Sequence, residues 1–435
     1  MNKPNTLLKE IFPAGFEQRF FAKYRTLFSV QEIEDSHVLQ WVFGATLLSF
    51  LITFYRWTSS LAVTETAFLK VWHLCWPWFQ DCGHWYFLEA LPYGYSQTTL
   101  YMVLFAIMLL IVFLMWKREW MLAHILMVIL FLWKVLVMFV LTYGISGNFD
   151  YYHIVFAFIL LFLPLKLFFL KLTFVLFYFL SATIKIHEGW ILGTYFSALQ
   201  TGIPLFPDFT IPIWTNIVIF MQTLGAWFLL SSNKLLQRGA LVYFVMFHLY
   251  SGTIVEYHYP LIVLPTLLIL FGPWYKPESV PLGRKALPGF ILLGILFILQ
   301  LSSVFIPGDE KITLEGNKYG MYMFEANHQC ISNITFHQKS GTSTTELDES
   351  INARNRCDPY DYWFFINQVC KRESEDLERV TWTFDHSING GPFYRIVETD
   401  DACGLEYHPW SHDKWIRTPE EGADIIGYPV KNLYY

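Results

Sequence analysis

Long apolar runs limit this chain more than any other feature. Segments near 38–58, 98–116, 119–142, 211–231, 238–257 and 287–306 approach the roughly 20 apolar residues that cross a bilayer as a helix. Residues 152–186 form a longer run broken by Pro164, Lys166 and Lys171, which reads as two spans joined by a tight turn. Residues 259–272 are short for a crossing, a deficit that tilt or local thinning can absorb. The expected fold class is a polytopic α-helical membrane protein of about nine spans. Composition agrees, since 54% hydrophobic and 19% aromatic residues against 15% charged exclude an ordinary soluble protein.

Charge marks a boundary. Residues 1–304 hold 14 Asp+Glu and 18 Lys+Arg, whereas 305–435 hold 22 and 12. The expected organisation is a cytoplasmic amphipathic segment over 1–37, a membrane bundle over 38–306 and a β-rich domain over 307–435. No cleavable signal is expected in the polar, basic N-terminal stretch. That stretch either lies on the membrane through Phe12, Phe16, Phe20 and Phe21 or forms a loose helix. Basic residues remain on the cytoplasmic side. Alternate segments carry 14 of them and the opposite loops only Lys70, so the N-terminus is expected inside and the C-terminal domain outside, in a periplasm or lumen.

The cysteines agree with that orientation. Cys75, Cys82, Cys330, Cys357, Cys370 and Cys403 all fall on the expected outer side, where disulfides persist. A zinc site is the competing reading, but no C-x2-C spacing supports it and no metal is expected. The last four cysteines allow three pairings, and spacing does not choose among them. Short β-rich runs around one helix near "YDYWFFINQVCKRESEDLER", with the turn signal Asn389-Gly390-Gly391-Pro392, indicate a small antiparallel sheet. Asn333-Ile334-Thr335 is a glycosylation sequon on the same side. Expected partners are membrane lipid and a peptide or protein for the acidic outer domain; no nucleic acid is expected.

Three basic residues fall at membrane depth, where insertion of a charge costs roughly 2.5–3.5 kcal/mol. Arg56, followed by Trp57, can snorkel to the interface. Lys134 is mid-span and must pair within the bundle, with Glu256 as a candidate, or line a polar cavity. Lys185, in "YFLSATIKIHEGWILG", either reaches outer water beside Glu188 or is kept dry enough to act as a neutral general base.

The same stretch carries a resemblance. Tyr178-Phe179-x-Ser181-Ala182-x-x-Lys185-Ile186-x-x-x-Trp190-x-x-Gly193 resembles the signature of the vitamin K-dependent γ-carboxylase and its bacterial relatives, the HTTM (horizontally transferred transmembrane) proteins. The resemblance implies that Lys185 is the base that deprotonates an isoprenoid hydroquinone of the vitamin K type. Oxygen then adds, an epoxide forms, and a peptide glutamate is deprotonated and carboxylated, which would make the chain a lyase. Phe174, Phe177, Tyr178 and Phe179, with Trp190 in the motif, would line the quinone pocket. The family's second catalytic residue is a histidine following an asparagine. Here Asn148 is followed by Phe149, and His153, one helical turn on, is the candidate substitute. Two other functions compete: a non-enzymatic anchor presenting the outer domain to a partner, and a transporter argued from Lys134, Glu256 and His258 without an inverted repeat.

Overall fold

The computed structural model describes residues 16–59, 74–82, 95–141, 148–198, 202–254, 257–306, 311–322, 326–341, 343–351, 357–372, 375–418 and 425–426. Arg56's side chain, Lys70, Glu256, Phe12 and the side chain of Phe16 lie outside the described residues. The chain divides into two compact units, one of residues 1–73, 82–176 and 226–294, the other of 74–81, 177–225 and 295–435.

Among the described residues each apolar segment is helical. After α1 (Phe16–Leu27) and α2 (Val30–Asp35) come α3 (His37–Ser59), α4 (Tyr95–Trp116), α5 (Trp120–Leu136), α6 (Asn148–Phe162) and α7 (Lys166–Thr183). Two short helices, α8 (Glu188–Ile191) and α9 (Thr194–Ala198), precede α10 (Ile211–Thr223), α11 (Lys234–Ile254), α12 (His258–Phe271) and α13 (Leu287–Gln300). Among the described residues, three helices are long and apolar enough to cross a bilayer: His37–Tyr55, Trp120–Phe139 and Lys166–Thr183. Length therefore does not support the expected nine spans. At 1.5 Å per residue, α6 with 15 residues and α12 with 14 span only about 21–23 Å, short of the roughly 30 Å hydrocarbon core. The cause is local: Pro164 and the left-handed Leu165 (φ 56°) separate α6 from α7, and Gly272 closes α12. Helix α11 is long enough, but Lys234, Gln237, Arg238 and His248 dilute its apolar character.

In the first unit the N-terminal helices pack against α5, α6 and the start of α7. Tyr24 Oη lies 2.8 Å from His124 Nδ1, and the Phe28 ring packs edge-on against Phe162. Glu32 accepts hydrogen bonds at 2.8 Å from the backbone amides of both Leu165 and Lys166. Its carboxylate thereby satisfies amides that the first turn of α7 leaves without intrahelical partners and complements the positive end of the helix dipole. Phe20 remains exposed.

In the second unit a five-stranded antiparallel sheet has the order β2-β1-β3-β4-β5, from β1 (His328–Gln338), β2 (Ser343–Ile351), β3 (Leu377–Ile388), β4 (Phe393–Thr399) and β5 (Ile425–Ile426). Alternation places Val380, Trp382 and Phe384 of β3 in the core, as period two requires. Helix α14 (Pro359–Arg372) buries Tyr360, Trp363, Phe364 and Ile366. Of the three pairings the spacing allowed, the fold makes Cys330–Cys357 and Cys370–Cys403, with Cα atoms 5.4 and 5.7 Å apart. Each bond ties α14 or the residues just before it to the sheet or the loop after β4. Cys75 and Cys82 are also disulfide-bonded. The segment 74–81 belongs to this unit, where Tyr360 Oη donates to the Cys75 carbonyl at 2.7 Å and Gln80 Nε2 to the Tyr407 carbonyl at 3.1 Å.

Candidate functional site

Lys134 and Lys185, two of the buried lysines, are the candidates for chemistry that the sequence singles out. Lys134, near the end of α5, is fully buried. Its Nζ lies 2.8 Å from Asp150 Oδ1, donates to Thr53 Oγ1 at 3.1 Å and lies 2.7 Å from His153 Nδ1. Asp150 and His153 are three apart on α6 and so share a face. Thr53 and Phe50 are three apart on α3, and the Phe50 ring stands edge-on to His153 with centroids 4.3 Å apart. Asp150, Thr53 and His153 are themselves buried. The expectation that Lys134 pairs inside the bundle is met, and the partner is Asp150. Immediately after Lys134 the helix widens into a π-helical turn over Val137–Leu141, a local geometry frequent at functional sites.

Lys185 is satisfied differently. Helix α7 ends at Thr183, and its last carbonyls have no intrahelical donors. Ser181 Oγ donates to the Tyr178 carbonyl at 3.0 Å, Thr183 Oγ1 to that of Leu180 at 2.7 Å, and the Lys185 amide to that of Ala182 at 2.9 Å. The Lys185 side chain folds back so that Nζ donates to the Ser181 carbonyl at 2.5 Å. That Nζ also lies 5.6 Å from the centre of the Trp190 ring, within cation–π range. Lys185 is only 2% exposed, so the reading in which it reaches outer water is replaced by one in which it caps its own helix.

The rest of the motif has equally local reasons. His187 caps α8, its Nδ1 accepting from the Gly189 amide at 3.2 Å. Gly193 has φ +75°, and a Cβ there would lie 2.6 Å from Ile211 Cγ2, so only glycine fits. Trp190 is buried and stacks on Tyr195.

The second unit holds Lys185, Tyr178, Phe179 and Trp190, and the first holds His153 and Phe174. Lys185 and Trp190 come together. Tyr178 is buried and Phe179 half-buried, while Phe174 packs edge-on against Tyr152, Phe156 and Phe271. Phe149, at the place where the family pattern has histidine, is buried and stacks on His258. Sequence reasoning missed Asp150, Thr53 and Phe50. The available signal was an acid one turn before a histidine inside an apolar run. Among the described residues no group of three or more His, Cys, Asp or Glu is placed to hold a metal ion.

No family model, curated protein or solved structure matches the chain.

Proposed function

We propose that the chain is a polytopic membrane enzyme that oxidises an isoprenoid hydroquinone with dioxygen, with Lys185 as base. The observation that carries this reading is the burial of Lys185 at the end of an apolar helix, its Nζ against a backbone carbonyl and the Trp190 ring. A neutral amine that donates an N–H to the Ser181 carbonyl is chemically competent as a general base toward a phenolic proton. The resemblance of the Lys185 motif to the γ-carboxylase and HTTM signature supplies the substrate class. In the overall reaction, hydroquinone and O2 give quinone epoxide and water, and coupling to carboxylation of a peptide glutamate is the extension the resemblance implies. In this reading all nine apolar helices cross or enter the bilayer, the shorter ones helped by local thinning. The basic residues stay cytoplasmic, and the disulfide-bonded C-terminal domain is extracytoplasmic.

The test is turnover by purified protein in lipid nanodiscs supplied with an isoprenoid hydroquinone and air, with the epoxide detected by mass spectrometry. Wild type should form it and Lys185→Ala should not, although both elute alike in size exclusion. A wild type that forms no epoxide sinks the reading.

A second reading, a membrane anchor for the C-terminal domain, is favoured by the hydrogen bonds from Tyr360 and Gln80 that join segment 74–81 and that domain. It expects a stable protein partner whose retention is indifferent to Lys185→Ala.

A further inference from the structure

The Lys134 cluster is not used by that reaction as written, yet its geometry assigns a proton. An ammonium has three donors and no acceptor, and those of Lys134 face Thr53 Oγ1, Asp150 Oδ1 and His153 Nδ1. A ring nitrogen that accepts from an ammonium carries no proton itself. We propose that Lys134 and Asp150 are a positioning pair that fixes His153 as the neutral tautomer with its proton on Nε2, making it a hydrogen-bond donor to a ligand oxygen inside the bundle.

Each element packed on the imidazole contributes to that outcome. Helix α5 supplies the Lys134 cation, and α6 supplies Asp150, which balances it one turn from His153 itself. Helix α3 supplies Thr53, Phe50 and the Thr46 backbone, none of them charged. Phe50, edge-on at 4.3 Å, blocks rotation of the ring. Nε2 is buried without a well-formed hydrogen bond, and the Thr46 backbone is its neighbour. The orientation of a histidine and the choice of its protonated nitrogen are set by what its other nitrogen meets, and here that partner is a lysine. With Nδ1 occupied and Nε2 protonated, His153 donates and does not act as a base. The ligand's class rests on the hydroquinone reading, whereas the tautomer does not.

The experiment is solid-state NMR of 15N-histidine-labelled protein in lipid bilayers, with the His153 signals identified by difference from His153→Asn. Wild type should show His153 with Nδ1 unprotonated and Nε2 protonated. A protonated Nδ1 in wild type overturns the proposal without any variant having to fold. In Lys134→Met/Asp150→Leu, which removes both charges, the His153 signals should move to a mixture of tautomers, and an unchanged spectrum also overturns the proposal. Where hydroquinone turnover is present, kcat of the double variant should fall about tenfold or more, and an unaltered kcat counts against the pair. Absence of epoxide from wild type removes the hydroquinone reading and leaves the tautomer assignment standing on its own spectrum.

Discussion

Lys134 and Lys185 pose the same physical problem and are solved by different levels of structure. Each places a long amine side chain next to apolar helical residues, and each is almost wholly buried. Lys134 is answered by a carboxylate, an imidazole and a hydroxyl from two other helices. Lys185 is answered by the carbonyl of Ser181, four residues earlier in its own chain, and by the face of Trp190, five residues later. The first solution exists only after helices pack. The second includes two contacts made at the end of α7 and in the turn that follows. A helix terminus thus offers a buried amine a local partner, because its last carbonyls are without intrahelical donors.

That contrast is most exposed to Asp150→Asn. Removing one member of a buried ion pair leaves an uncompensated charge and should destabilise the bundle by about 3–5 kcal/mol, read as a lowered melting midpoint in detergent. Lys134→Met/Asp150→Leu should recover most of the loss. A single variant that melts as wild type does would show that the pair is not what holds Lys134.

The local solution depends on the turn, so Gly193→Ala is next. A left-handed backbone and the close approach of Ile211 should together cost about 1–3 kcal/mol, measured by the same melt. Lys185→Met should cost about 1 kcal/mol for the hydrogen bond to the Ser181 carbonyl, while abolishing epoxide formation. A loss as large as that of Asp150→Asn would erase the distinction between the two lysines.

A buried acid in the C-terminal domain extends the comparison to the other sign of charge. Burial raises the pKa of Glu315 from the usual carboxylate range to about 7, against the lowering influence of the Asp413 amide and of His412. Its Oε1 accepts from that amide at 2.9 Å, and its Oε2 lies 2.8 Å from His412 Nδ1. The folded pKa lies above the unfolded one, so the folded state retains a proton that the unfolded state has released. Stability contributed by this group therefore falls as pH rises from about 4.5 towards 7 and levels off beyond. Glu315→Gln should flatten that part of the melting-midpoint profile, and an unchanged slope would assign it to other groups.

Much of this fold is legible as pattern. Apolar runs locate the helices, the break at Pro164 is where α6 gives way to α7, and alternation with turn residues locates the sheet. The oxidised state of the cysteines follows from their placement. Crossing number does not follow, because a run of apolar residues does not say where a helix stops inside it. Of the site, Lys134 was visible as a residue that needed a partner. Asp150 was not, because only the packing of α5 against α6 brings residues 16 apart within 2.8 Å. The resemblance drew attention to Lys185 for its chemistry, yet Thr183 before it serves the helix end by donating to the Leu180 carbonyl, one of those left without an intrahelical donor.

The sequence by itself determined where helices and strands form and which charges could not be left alone, because periodicity and desolvation act on each segment separately. Tertiary structure alone decided which group answers each charge, which cysteines join and which nitrogen of His153 faces a lysine. Those choices depend on distances between elements that no local pattern encodes.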